Sequence, residues 1–176
     1  MTKREVFERL EIAIQRRSPL IAKHMAPGIP ETVIRRKITR AGYVQEIEPL
    51  VELYRWKGGT FLSRDIAAEQ MGITPGAIYH FLELEMAIGH AGHLREAAKF
   101  HPDLTGVAGR YFPVLWDGSD CWFAVDTGSG ARGRLVHIEA QSDEPIREAY
   151  SSFDEFLADL VRANEQNDEM ACFDRI

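Results

Sequence analysis

His90 and His93 stand three residues apart in a segment whose apolar residues have helical spacing. On a helix their side chains lie on one face, and Glu96 continues that face by one further step. A zinc site needs three or four converging ligands with hydrogen-bonded support behind them. Because nothing else in the sequence joins this group, we interpret the three as surface residues of a helix and predict no metal.

Gly128, Gly130 and Gly133 have the G-x-G-x-x-G spacing of a dinucleotide-binding loop. That motif binds pyrophosphate because a helix begins directly after the glycines and points its N-terminus at the phosphates. Here the next segment, Leu135 to Ile138, is predicted to be a strand. We therefore interpret the glycines as a hairpin loop and predict no cofactor.

Three aspartates, Asp117, Asp120 and Asp126, surround a predicted hairpin, where they could bind a cation or act as an acid–base pair. The alternation of a calcium loop, which ends in a bidentate glutamate, is absent. Asp117 instead supplies a turn, and Asp126 ends a strand. The sequence also has no serine elbow, no Cys–His pair at a recognisable spacing and no phosphate loop with lysine. We predict that the protein is not an enzyme.

Residues 63–82 carry an alternative interpretation. Ala68, Gly72 and Ile78 have helix-turn-helix spacing, and the stretch from Gly72 resembles the turn and recognition helix of tetracycline-repressor-type regulators. Against this, the apolar pair before Gly72 lies one residue too early, Arg64 is the only nearby base, and such regulators are helical throughout. A DNA-binding regulator stays an alternative, while the main prediction is no nucleic-acid binding.

The net charge of −6 is unevenly distributed along the 176 residues. Residues 1–48 carry ten Lys/Arg against six Asp/Glu, and residues 139–176 carry three against eleven. An acidic end repels phosphates and attracts basic proteins, although it equally suits a solvated face. The two cysteines form no disulfide framework, and no segment resembles a signal peptide or a membrane span. We expect a cytoplasmic protein that does not bind membranes.

Helical patterns dominate the first hundred residues, and a strand pattern follows. The predicted helices are 3–17, 30–42, Glu48 to Lys57 with Gly58-Gly59 as its stop, 63–71 and 84–100. The predicted strands are 77–82, Tyr111 to Trp116, Asp120 to Asp126 and Arg134 to Ala140. A last helix begins at Ser152, whose side chain caps it while Glu155 completes a capping box. The order predicts an α+β fold: an antiparallel sheet (β-meander) with helices packed on one side.

The C-terminal half resembles the SUKH superfamily, the Knr-like cell-wall regulators and bacterial immunity proteins. The matching stretches are Tyr111-Phe112-Pro113, Asp117-Gly118-Ser119-Asp120, Trp122 to Asp126, Gly133 to Glu139 and Ser152-Phe153 to Leu157. Upstream, Leu53 to Gly59 is similar to the family's helix that ends in an aromatic-x-x-Gly pattern. The resemblance covers residues 26–164, which leaves 1–25 as an N-terminal helical extension and 165–176 as an acidic tail.

This resemblance implies structural roles for many of the residues named above. Core and packing positions are Trp56, Pro113, Phe153 and Phe156, and the hairpin is shaped by Asp117, Gly118, Asp120 and Asp126. The family usually has Asn at the place of Gly58, and its helix-starting Pro matches Pro49 only with shortened spacing. Both departures concern the loop geometry at Gly58-Gly59.

The family resemblance also implies a function, because its members are binding proteins that often neutralise nuclease-type toxins. We therefore expect a non-enzymatic immunity protein that occludes a basic toxin domain, with a cell-wall-regulator-like scaffold protein as a further alternative. Acidic side chains would attract the toxin, and two tryptophans would anchor it. The candidate partner-binding residues are Trp116, Asp117, Asp120, Trp122, Glu139, Asp143, Glu144 and Glu148.

Overall fold

The computed structural model describes residues 2–61, 72–75, 79–104, 106–107 and 109–171. The α-helices in these ranges are α1 (Lys3–Arg17), α2 (Pro19–His24), α3 (Glu31–Arg40), α4 (Glu48–Trp56), α5 (Leu84–Ala97) and α6 (Phe153–Gln166). The strands are β1 (Met25–Pro27), β2 (Lys57–Thr60), β3 (His80–Phe81), β4 (Tyr111–Trp116), β5 (Cys121–Asp126), β6 (Leu135–Glu139) and β7 (Ile146–Tyr150). The predicted helix 63–71 and most of the helix-turn-helix lie outside the described residues.

Five strands form one antiparallel sheet in the order β3-β4-β5-β6-β7, and β1 and β2 pair separately. Each strand of the larger sheet lies beside its neighbour in sequence, so the sheet is a meander. The predicted α+β class, with an antiparallel meander and helices packed against it, is confirmed. Strand β7 is an addition, because the prediction placed a loop between Ala140 and the last helix.

The core lies between the helices and one face of the sheet. Phe81, Leu115 and Phe123 share this face, since the latter two are each other's cross-strand partners and Phe81 pairs with Leu115. Trp56 of α4 stacks between Phe81 and Phe7, with ring centroids 6.3 Å and 5.0 Å away. Helix α6 contributes the predicted core residues Phe153 and Phe156. Hydrophobic burial from α1, α4 and α6 therefore stabilises this face.

Helix α5 packs along β4 and contacts the face of the sheet opposite Leu115 and Phe123. Trp116 and Trp122 form a cross-strand pair next to the pair of Leu115 and Phe123, so the two tryptophans lie on the opposite face of the sheet. The His90 ring of α5 contacts both indoles, with centroids 4.7 Å and 6.0 Å away.

Pro113 lies inside the sheet, where proline is normally disfavoured because it lacks an N–H. It pairs with Ala124 of β5, and the register shifts directly after it. On its other side, β3 pairs with Leu115 and Trp116, and the Leu82 N–H donates to the Val114 carbonyl at 3.0 Å, so the described pairing stops one residue short of Pro113. The short β3 and the irregular register let β4 accept proline.

The predicted role of Gly58 and Gly59 as a helix stop needs correction, because both residues lie in β2. A Cβ on Gly58 would lie 2.8 Å from the carbonyl oxygen of Pro27. Gly59 has φ +118°, and a Cβ there would overlap the backbone of Glu83. The glycines allow β2 to pack closely against β1 and against the start of α5.

The first and last helices of the described chain pack onto the domain. Phe7, Leu10 and Ile14 of α1 belong to the main core, and α1 packs against α6. The described part of the predicted tail is partly ordered, since α6 continues to Gln166 and Met170 is 2% exposed.

At the start of α6, Ser152 is the predicted cap and accepts a hydrogen bond from the Glu155 N–H at 3.2 Å. The Glu155 carboxylate accepts from the N–H and hydroxyl of Ser151, one residue before the cap.

Among the described residues, no helix combines the length and apolar character needed to cross a bilayer.

Candidate functional site

Two hairpin turns meet at one end of the sheet, because in a meander alternate turns lie on the same side. One turn joins β4 to β5 and the other joins β6 to β7. The N–H of Ala140 donates to the Asp120 carbonyl at 3.1 Å, and the Gln141 amide donates to the Asp120 carboxylate. Backbone and side-chain hydrogen bonds thus join the two turns into one surface.

This surface, which we name the acidic end, carries most of the predicted partner-binding acids. Its carboxylates are Asp117, Asp120, Glu139, Asp143 and Glu144. Within the described residues, Arg147 is the one cation paired with any of them, at 3.8 Å from Glu144. Asp120, Asp143 and Glu144 are exposed, so their charges face solvent.

Asp117 has a structural task as well. Its carboxylate accepts from the Ser119 N–H and hydroxyl, both at 2.8 Å, and from the Cys121 N–H at 3.3 Å. Gly118 adopts φ +93° between them, a backbone conformation that favours glycine. The predicted roles of Asp117 and Gly118 in shaping the hairpin match this geometry.

The negative potential of the acidic end acts on the Cys121 thiol. Burial, together with the carboxylates of Asp117 and Glu139, raises the pKa of Cys121 to about 11. A thiol with this pKa stays protonated at neutral pH and is a weak nucleophile. The acidic end therefore disfavours thiol chemistry at Cys121.

The two predicted anchors differ in accessibility. Trp122 is only 7% exposed, and its indole N–H donates to Nδ1 of His90 at 3.2 Å, so it is a core residue. Trp116 is partly exposed beside the turn, and its indole N–H donates to the Ser119 carbonyl at 2.7 Å. Trp116 is thus the tryptophan that a partner at the acidic end can contact.

Glu148 lies apart from the other predicted acids. It sits on β7, not on the predicted loop, and accepts from Arg134 at 3.2 Å. Arg134 directly precedes β6, and Glu148 pairs with Val136 near the start of that strand, so Glu148 is displaced toward the sheet end opposite the acidic end.

That opposite end contains a cluster that the sequence did not indicate, which we name the arginine end. Arg110 binds both oxygens of Asp126, at 2.9 Å and 2.8 Å, and Arg134 binds one of them, at 2.6 Å through Nη2 and 3.2 Å through Nε. The Gly128 N–H donates to Asp126 at 2.9 Å. Burial raises the pKa of Asp126, but hydrogen bonds from Arg110, Arg134 and Gly128 outweigh it and lower the pKa to about 2.

A signal for the arginine end was present in the sequence. Arg110 directly precedes one strand, Asp126 ends the next, and Arg134 directly precedes the third. In a meander these three positions share one end of the sheet. The sequence prediction included the aspartates but not the arginines that lie at the same end of the sheet as Asp126.

The histidine group forms no ligand set. Nδ1 of His90 is occupied by the Trp122 indole, and burial, followed by the charge of His93, lowers the pKa of His90. Across the described ranges, no three His, Cys, Asp or Glu side chains converge in a way that suits a metal ion.

No family model and no curated protein sequence matches this chain.

Proposed function

We propose that this protein is a non-enzymatic binding module that neutralises a basic, nuclease-type toxin, with the acidic end as its docking surface. The observation that carries the proposal is the joining of the two turns by Asp120, Ala140 and Gln141. This contact unites acids from two separate stretches of chain on one exposed surface. The family resemblance supplies the class of partner.

Electrostatics supports this choice of partner. The acidic end presents five carboxylates, and Arg147 is the guanidinium that opposes them. A nuclease needs a basic surface to hold phosphates, so the two surfaces are complementary. Such complementarity accelerates association well beyond that of neutral proteins and disfavours acidic partners.

Trp116 supplies the apolar part of the proposed contact. Its indole is held by the Ser119 carbonyl and by the His90 ring, so little side-chain freedom is lost on binding. A partly exposed, fixed aromatic side chain beside charged residues is typical of an interface anchor. The proposed place of action is the cytoplasm, where a nuclease toxin finds its substrate.

Co-expression tests the proposal. The protein is produced together with a toxin encoded by a neighbouring gene, and growth and co-purification are measured. We expect growth rescue and a stable complex. Trp116→Ala should weaken both, and thermal unfolding of the variant is measured alongside because Trp116 also packs against the core. Phe100→Ala is the matched control, because Phe100 is 80% exposed at the end of α5. Failure to rescue growth or to co-purify with any neighbour-encoded toxin would contradict the immunity role.

A further inference from the structure

The arginine end opens into a polar cleft of about 350 Å³. The cleft is lined by three arginines, two serines and the glycine loop after β5, and Glu148 lies at one side of it. The lining residues are Arg110, Ser129, Gly130, Ala131, Arg132, Arg134, Glu148 and Ser151. We propose that this cleft binds a phosphate-type oxyanion.

Two of the guanidinium groups are already fixed in place. Asp126, whose side chain is fully buried, holds Arg110 through Nε and Nη2, and holds Arg134 through the same two atoms. Nη1 of Arg110 has no hydrogen-bond partner in the described part of the chain. A planar guanidinium fixed along one edge offers its other donors to an oxyanion at little entropic cost.

The loop that carries the third arginine is also held in one conformation. Ala131 N–H donates to the Gly128 carbonyl at 3.0 Å, and Arg134 N–H donates to the Ala131 carbonyl at 2.9 Å. Gly133, at φ +69°, packs so closely that a Cβ there would lie 2.5 Å from Cγ of Pro49. These contacts fix the rim of the cleft.

Arg132 is the cation at this rim that has no acidic partner. It is exposed, it makes no ion pair within the described residues, and its backbone adopts φ +52°. A left-handed conformation is uncommon for a residue other than glycine, and such strain is concentrated at functional sites. Arg132 lines the cleft together with the two fixed arginines, and no acid among the described residues neutralises it.

The charges around the cleft set the size of the expected affinity. Asp126 and Glu148 offset two of the three guanidinium charges, and at the margin Glu46 and Glu155 accept from the N–H groups of Gly130 and Ser151. Four carboxylates thus face three guanidinium groups, so the cleft is not net positive and binding depends on where the donors lie. Three guanidinium groups around one cleft suit a tetrahedral oxyanion better than a planar carboxylate, and we expect a Kd of about 1 mM for inorganic phosphate.

A phosphate titration followed by ¹⁵N–¹H NMR at constant ionic strength tests this proposal. We expect saturable shifts of the Gly130 and Arg132 amides, and acetate should bind about tenfold more weakly. Arg132→Gln should weaken phosphate binding about tenfold, because it removes the free guanidinium and leaves the Asp126 contacts intact. Arg16→Gln, an exposed site on α1, is the matched control and should leave binding unchanged.

Three outcomes would overturn the proposal: no saturable shift at the cleft, equal binding of acetate and phosphate, or equal weakening by Arg132→Gln and Arg16→Gln. The proposal is independent of toxin neutralisation, since the cleft and the acidic end lie at opposite ends of the sheet. Charge reversal at Asp143 should leave phosphate binding unchanged, so the two proposals can fail separately.

Discussion

Asp126 is the most strongly hydrogen-bonded acid at either end of the sheet. Its side chain is fully buried, yet it is ionised, because Arg110, Arg134 and Gly128 supply five hydrogen bonds to its two oxygens. Burying a carboxylate without such partners costs several kcal/mol. The same bonds join the starts of β4 and β6 to the end of β5, so one residue stabilises three strands.

Asp126→Asn should therefore destabilise the protein by about 3 kcal/mol, because it leaves two guanidinium groups without their counter-charge. Urea unfolding measures this change. Asp143→Asn, at an exposed position with no ion pair among the described residues, is the control and should change stability by less than about 0.5 kcal/mol. Equal effects of the two substitutions would mean that the buried cluster is not a stabilising element.

The low pKa of Asp126 also predicts how stability depends on pH. Its folded pKa is about 2, below the ordinary value of 3.8, so its contribution is complete above pH 3.8 and declines as the pH falls toward 2. Wild type should lose more stability than Asp126→Asn across this window. Urea unfolding at a series of pH values measures the difference, and parallel curves would contradict the assignment.

His137 predicts a second pH effect at a higher range. Nε2 of His137 lies 2.9 Å from the buried Tyr79 hydroxyl, and burial lowers the pKa of the ring below 6.5. The unfolded chain thus binds the proton more tightly, and stability falls as the pH drops below 6.5. His137→Gln should reduce this slope in unfolding experiments between pH 7 and 5, and an unchanged slope would count against the buried pair.

At the scale of elements, the effect of replacing a glycine on stability should depend on how closely the neighbouring backbone packs against it, and Gly59 is packed closely. Gly59→Ala should destabilise the protein by several kcal/mol, because φ is +118° and a Cβ would overlap the Glu83 backbone. Gly89→Ala in α5 is the matched change: nothing lies within 4 Å of its Cβ position, and alanine favours the helix by about 1 kcal/mol. Thermal unfolding should move in opposite directions for the two variants. A shared direction would contradict the proposed packing.

The elements that the sequence predicted are those with an unbroken period. Strand β4 has its predicted bounds, and α1 and α6 begin where their caps and apolar stripes place them. Strand β7 was missed because its pattern is broken: Ile146, Ala149 and Tyr150 are not alternate residues, and the register shifts near its end. Its pairing with β6 is a tertiary effect.

Other elements were missed because one signal served two purposes. Ser18 ends α1 and also caps α2. The predicted helix 3–17 was therefore followed by no further helix before residue 30, and the short α2 was missed. Gly58 and Gly59 were interpreted only as a helix stop, so the pairing of β2 with β1 was not predicted. The turn at Asp117-Gly118 was predicted, but the second acidic turn was predicted only as a loop, because it depends on β7, which the sequence alone did not show.

At the scale of the whole molecule, the sheet separates two charged surfaces. Its strands of five or six residues span about 20 Å, roughly twice the Debye length at physiological salt. The acidic end and the arginine end therefore act on ligands almost independently. The two proposed interactions, with a basic protein at one end and with an anion at the other, can therefore be tested separately.

Association kinetics with the co-purified toxin test the central claim, docking through the acidic end, most directly. The double variant Asp143→Lys/Glu144→Lys should slow association about tenfold and change dissociation much less, because exposed rim charges act mainly on the encounter. The control Glu8→Lys/Glu11→Lys reverses two exposed charges on α1 and should slow association far less. The slowing should diminish with added salt. Equal slowing by the two double variants, or none by either, would contradict docking through the acidic end.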